Sequence, residues 1–123
     1  MTRENASGTE SYQTSTDLIL SRDEAALQAG QDAELQGRFT VAQEKFLSVY
    51  RNSDAKPDRR AKALIELGEL YSNALNPNRD HATALDYFER VAEEFPQAEQ
   101  KTRDAAERAA AALRPTPPSG TSD

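Results

Sequence analysis

The sequence predicts an all-α protein: antiparallel helix hairpins stacked as a short α-solenoid of about five helices, two hairpin repeats plus a capping helix. Three observations lead there. Apolar residues recur at spacings of three and four between chain-breaking segments, which is the period of one helix face. Alanine, the best helix former, supplies 20 of the 123 residues. Small residues also recur at Gly30, Gly68 and Ala106, each 38 residues after the last, and a period of roughly 20–50 residues in a helical chain marks stacked hairpins.

Residues 1–17 are rich in Ser, Thr, Asn, Gln and Glu and cannot bury enough apolar surface to offset chain ordering, so a flexible tail is expected. The apolar run Leu18-Ile19-Leu20 opens the folded domain, expected over residues 18–113, either packing on the first helix or docking elsewhere. Ser21 and Glu24 have capping-box spacing. They start a helix carrying Ala25, Ala26, Leu27, Ala29, Ala33 and Leu35, which Gly37 stops. A second helix from about Phe39 puts Val41, Ala42, Phe46, Val49 and Tyr50 on one stripe, ending in the polar loop Asn52 to Pro57.

The third helix is expected from about Asp58 to Ala74, burying Ala61, Leu64, Leu67, Gly68 and Tyr71 before Asn76-Pro77-Asn78 breaks the chain. Asp80 caps a fourth helix with the stripe Ala84, Leu85, Phe88, Val91 and Ala92, closed at Phe95-Pro96 because proline disfavours a helical residue before it. A last, Ala-rich helix is expected from Gln97 to Leu113. Residues 114–123, with Pro115-Thr116-Pro117-Pro118 and Gly120, read as a second tail.

Composition narrows function. The 15 Lys and Arg are scattered among 21 Asp and Glu, for a net charge of -6, whereas phosphate contacts need clustered cations, so nucleic acid is not an expected partner. There is no cysteine, hence no disulfide, thiolate nucleophile or Cys-ligated zinc. No stretch approaches the roughly 20 apolar residues of a membrane span, and residues 1–17 hold no apolar export core, so the expectation is a cytoplasmic chain without membrane insertion. His81 is the single histidine, which removes two-histidine metal sites. Asn76-x-Asn78-x-Asp80 opens like a calcium loop, but His81 and Tyr87 stand where that loop needs Gly and Glu. The carboxylate pairs Glu66/Glu69 and Glu93/Glu94 are interspersed with Lys and Arg, as on a solvated helix face. No catalytic residue, cofactor or metal is expected.

The third helix reads Leu64-x-x-Leu67-Gly68-x-x-Tyr71, and the fourth Ala84-x-x-x-Phe88-x-x-Val91 followed by Pro96. This resembles the tetratricopeptide repeat signature. The first helix pair is a weaker copy, Ala26-x-x-Ala29-Gly30-x-x-Ala33 with Ala42-x-x-x-Phe46-x-x-Val49, and Thr102-x-x-Ala105-Ala106-x-x-Ala109 begins a third. The 38-residue spacing exceeds the family's 34, and the additions fall at Asn52 to Pro57 and Leu75 to Asp80. Phe95-Pro96-Gln97-Ala98 after Tyr87-Phe88-x-x-Val91 is also similar to repeats of bacterial envelope-assembly and secretion-associated members.

The resemblance implies a non-catalytic interaction module in which the first helices of successive repeats line a concave groove for a peptide or protein segment. Carried over by position, the groove residues would be Glu24, Leu27, Gln31, Glu34 and Leu35, then Lys62, Ile65, Glu69, Ser72 and Asn73, with Gln100, Arg103 and Glu107 from the last helix. Leu27, Leu35 and Ile65 would anchor apolar side chains, and Glu34 and Glu69 would favour a partner carrying Lys or Arg. The Lys-Asn-Lys-Arg clamp of chaperone-binding members is lacking. The alternative is a module that homo-oligomerises through its repeat ends, since fewer than about three repeats leave an apolar face open.

Overall fold

A computed structural model describes residues 22–115, an all-α fold of five helices with no strand among them. Helix α1 spans 22–35, α2 Phe39–Tyr50, α3 Pro57–Ser72, α4 His81–Glu94 and α5 Gln100–Leu113. Ser21, the Leu18-Ile19-Leu20 run and both tails, apart from Arg114 and Pro115, lie outside the described residues. No described helix is long and apolar enough to cross a membrane.

Gly37 ends α1 as expected, with φ +78°, a conformation an L-residue adopts only at a cost. The Arg38 N–H bonds to the Ala33 carbonyl at 2.8 Å and the Gly37 N–H to that of Glu34 at 3.0 Å. That pair of bonds satisfies carbonyls the helix itself leaves open. Pro57 occupies the first turn of α3, where its missing N–H costs nothing.

The α3–α4 connection closes on asparagine side chains. Asn76 is buried; its amide nitrogen donates to the Leu70 carbonyl at 3.0 Å and its oxygen accepts from the Asn78 N–H at 2.9 Å. The Asp80 N–H returns to the Tyr71 carbonyl at 2.8 Å. Helix α3 therefore stops at Ser72, two residues short of the expected Ala74. Asp80 caps α4 as expected, accepting from the Ala82 N–H and the Thr83 hydroxyl.

Helix α5 starts three residues later than the expected Gln97. Proline at 96 and the bond from the Ala98 N–H to the Phe95 carbonyl make a turn there, and Ala98 is buried. The Glu99 N–H then bonds to the carboxylate of Asp58 at 3.0 Å, so α3 caps the helix that packs beside it.

Helix α1 meets α2 where Gly30 faces the ring of Phe46. Helix α3 packs on α2, α4 and α5, and α4 packs on α5. Helices α1 and α3 are joined by Glu24–Arg59 at 3.0 Å, and the hydroxyl of Tyr50, the last residue of α2, reaches Glu94 at the end of α4. Helices α1 and α5 thus both contact α3, which also packs on α2 and α4. Phe46, Leu64, Leu67, Leu70, Val49 and Val91 are the largest fully buried side chains. A Cβ added at Gly68 would fall within 3 Å of the Phe88 ring, and the same holds for Gly30 and Phe46. Each of these two glycines seats an aromatic ring. Ala92, expected on the buried stripe of α4, is exposed: the apolar face turns toward α3 through Ala84, Phe88 and Val91.

Candidate binding groove

Two shallow depressions flank α3. Between α1 and α3, one of about 290 Å³ is lined by Gln31, Glu34, Leu35, Glu66, Glu69 and Asn73. Between α3 and α5, one of about 330 Å³ is lined by Lys62, Ile65, Glu66, Lys101, Thr102 and Ala105. Glu66 belongs to both. Helical geometry explains the grouping, because Lys62, Ile65/Glu66 and Glu69 are three or four apart on α3 and so share one face, with Asn73 the residue that ends the helix.

The first depression is acidic. The Gln31 amide donates to Glu66 at 2.7 Å, and that of Asn73 to Glu34 at 2.9 Å. Among the described residues these two neutral amides are the cross-helix partners, and none of Glu34, Glu66 and Glu69 has an ion pair. Partial burial first, then the neighbouring Glu66 and Glu34 carboxylates, push the Glu69 carboxyl up to about 7. Burial likewise raises Glu66, with Glu34 adding to it against the Gln31 hydrogen bond. Leu35 stands over this end at 87% exposure, and Leu75 follows Asn73 at 81%.

The second depression is more apolar, with both of its lysines paired locally and Glu66 at the edge it shares with the first. Lys62 lies 3.5 Å from Asp58 and Lys101 3.6 Å from Glu99. Burial pushes the Asp58 carboxyl up, but hydrogen bonds from the Thr102 hydroxyl and the Glu99 N–H, with Lys62, overcome it and hold Asp58 below the ordinary carboxylate range. What stays available is Ile65, half-buried against the core, the half-buried Ala105 and the methylene stems of the two lysines.

Seven of the expected groove residues therefore line these depressions: Gln31, Glu34, Leu35, Lys62, Ile65, Glu69 and Asn73. The others do not. Leu27 belongs to the core and cannot act as an anchor. Glu24 is held by Arg59 at the α1–α3 seam. The Ser72 hydroxyl donates back into its own helix, to the carbonyls of Gly68 and Glu69. Arg103 bonds to the Ala98 carbonyl and lines a separate depression between α4 and α5. Gln100 is paired with Asp104 and Glu107 with Arg114. Glu66, Lys101, Ala105 and Leu75 were not among the expected residues. Glu66 carried a signal, since it sits one residue after Ile65 and three before Glu69.

Among the described residues no group of three or more His, Cys, Asp and Glu is arranged to hold a metal ion. Compared with known proteins, the chain matches no family model, no curated protein and no solved structure.

Proposed function

We propose that this chain is a non-catalytic protein–protein interaction module, a tetratricopeptide-like adaptor whose α1, α3 and α5 form a short groove for a peptide or protein segment carrying Lys or Arg. The observation that supports it best is the α1–α3 depression, where three carboxylates meet without a cation beside the exposed Leu35. Exposed large apolar side chains next to unpaired charge favour a partner over bulk water. The repeated seating of an aromatic ring on a glycine, Phe46 on Gly30 and Phe88 on Gly68, supports the family reading.

The test compares the parent with a Leu35→Asp, Ile65→Asp double variant on an array of synthetic peptides tiled from candidate partner sequences. Binding that disappears in the variant while helicity persists is the expected outcome. Binding retained at parental strength would place the interface elsewhere.

Self-association is the second reading. It draws on α5, where Ala111 and Ala112 are exposed and Ala105 and Ala109 half-buried. Sedimentation distinguishes the two: a monomer at every concentration removes the oligomer.

A further inference from the structure

The two depressions lie on opposite sides of one helix, share Glu66 and differ in chemistry. Between α3 and α5 both lysines have carboxylate partners, Asp58 and Glu99, and the Thr102 hydroxyl is engaged by Asp58. Apart from Glu66, which also lines the acidic depression and accepts from Gln31 there, no unpaired charge lines that space, so a charged visitor would lose water over Ile65 and Ala105 without gaining a counter-ion. An apolar side chain resting on Ile65 and Ala105 loses nothing and buries surface.

The α1–α3 side has the opposite need. Glu34, Glu66 and Glu69 converge with no cation: Glu66 and Glu34 accept from the Gln31 and Asn73 amides, Glu69 shares a hydrogen bond with Glu66, and burial first, then the neighbouring carboxylates, raise the proton affinity of Glu69. Leu35 forms an apolar wall on this depression, a surface for methylene groups that a bare ion could not use. A long basic side chain matches both the wall and the carboxylates.

The separation of the two seats follows from helix geometry. From Ile65 to Glu69 is about one turn, roughly 6 Å along α3. The flanking inter-helix grooves are separated by about one helix spacing, roughly 8–10 Å. The diagonal is roughly 10–12 Å, which an extended chain at about 3.3 Å per residue crosses in three or four residues.

Resting on the groove reading above, we propose that the occupant is an extended linear segment with an apolar side chain three or four residues from a lysine or arginine, the apolar side chain seated on Ile65 and Ala105 and the cation among Glu34, Glu66 and Glu69. Both seats are needed for useful affinity, because each is shallow and tethering the second side chain raises its effective concentration.

The test is selection of a random twelve-residue displayed peptide library on the whole chain, followed by fluorescence anisotropy of the enriched peptides. Enriched sequences are expected to share the apolar–basic spacing. A Glu34→Gln, Glu69→Gln double variant should weaken them at least tenfold. Replacing the peptide's basic residue by glutamine should cost as much in the parent and little more in that variant, the signature of a direct pair. Enriched peptides without the cation, or indifferent to the glutamine variant, overturn this inference and leave the groove reading standing. Peptides that still bind Ile65→Asp, or Ala105→Glu where Ile65→Asp loses helicity, overturn both, as does a selection that enriches nothing.

Discussion

The carboxylate of Asp58, in the first turn of α3, accepts the backbone N–H of Glu99 at 3.0 Å, 41 residues further along the chain. Glu99 makes no side-chain cap for α5, so the open end of that helix is served from a neighbour. Asp58→Ala should cost about 1 kcal/mol, the usual worth of a cap, and lower the thermal midpoint by roughly 4–8 °C. Amide exchange should accelerate first in residues 99–103. A variant with parental exchange there would remove Asp58 as the cap of α5.

Gly68 lies under Phe88, with the ring carbons within 3 Å of where a Cβ would stand. Glycine to alanine inside a helix ordinarily gains about 1 kcal/mol. Here the buried ring would have to move, and overpacking costs about 1–3 kcal/mol. Gly68→Ala should therefore be neutral to destabilising, and Gly68→Leu severely so, lowering the urea midpoint. A Gly68→Ala protein more stable than the parent by the full helix-propensity gain would show that the ring does not occupy this place.

The Gly68–Phe88 pairing was legible in the sequence because both residue types recur in the two hairpins, Gly30 with Phe46 and Gly68 with Phe88, although the glycines stand 38 residues apart and the phenylalanines 42. So were the starts of α2 and α4, marked by Gly37 and Asp80. The start of α5 was not legible, because its cap comes from Asp58, and a contact 41 residues distant leaves no local trace. The same limit affects the groove. Leu27 and Leu35 are both apolar on α1, yet one is in the core and the other is 87% exposed, a difference that the apolar pattern of α1 alone does not carry. Arg103 follows Thr102 by one residue, and that single step of about 100° carries it from the α3 side to α4.

Asn76 is one of two buried polar or charged residues among those described, with Thr102, and its side chain holds the α3–α4 turn through Leu70 and Asn78. Asn76→Ala removes both bonds, leaving the Leu70 carbonyl with the Asn73 N–H and taking the acceptor from the Asn78 N–H. A loss of about 1–3 kcal/mol is expected. Asn76→Asp should lose as much, since a carboxylate cannot donate to the carbonyl. Equal denaturant midpoints for parent and Asn76→Ala would show that the loop backbone suffices.

Glu69 gives the stability a pH dependence of definite sign. Its carboxyl sits at about 7 in the folded chain against an ordinary 4.5, so between those values the native state holds a proton that the unfolded chain has released. Stability must then fall as pH rises through that window. The thermal midpoint of the parent should drop from about pH 5 to pH 7.5, and Glu69→Gln, which keeps the shape without the charge, should flatten that slope. Glu66, also raised by burial, leaves a smaller residual slope of the same sign. Asp58 acts oppositely: it is held below its ordinary value, so its contribution is retained above that value and lost only in acid. A basic peptide in the α1–α3 seat should reverse the first effect, because a cation favours the ionised carboxylates. Its binding should strengthen from pH 5 to pH 7.5 in the parent and lose that dependence in Glu69→Gln. A parent whose midpoint is flat across this range, with Glu69→Gln indistinguishable from it, would mean that the three carboxylates do not crowd one another in solution.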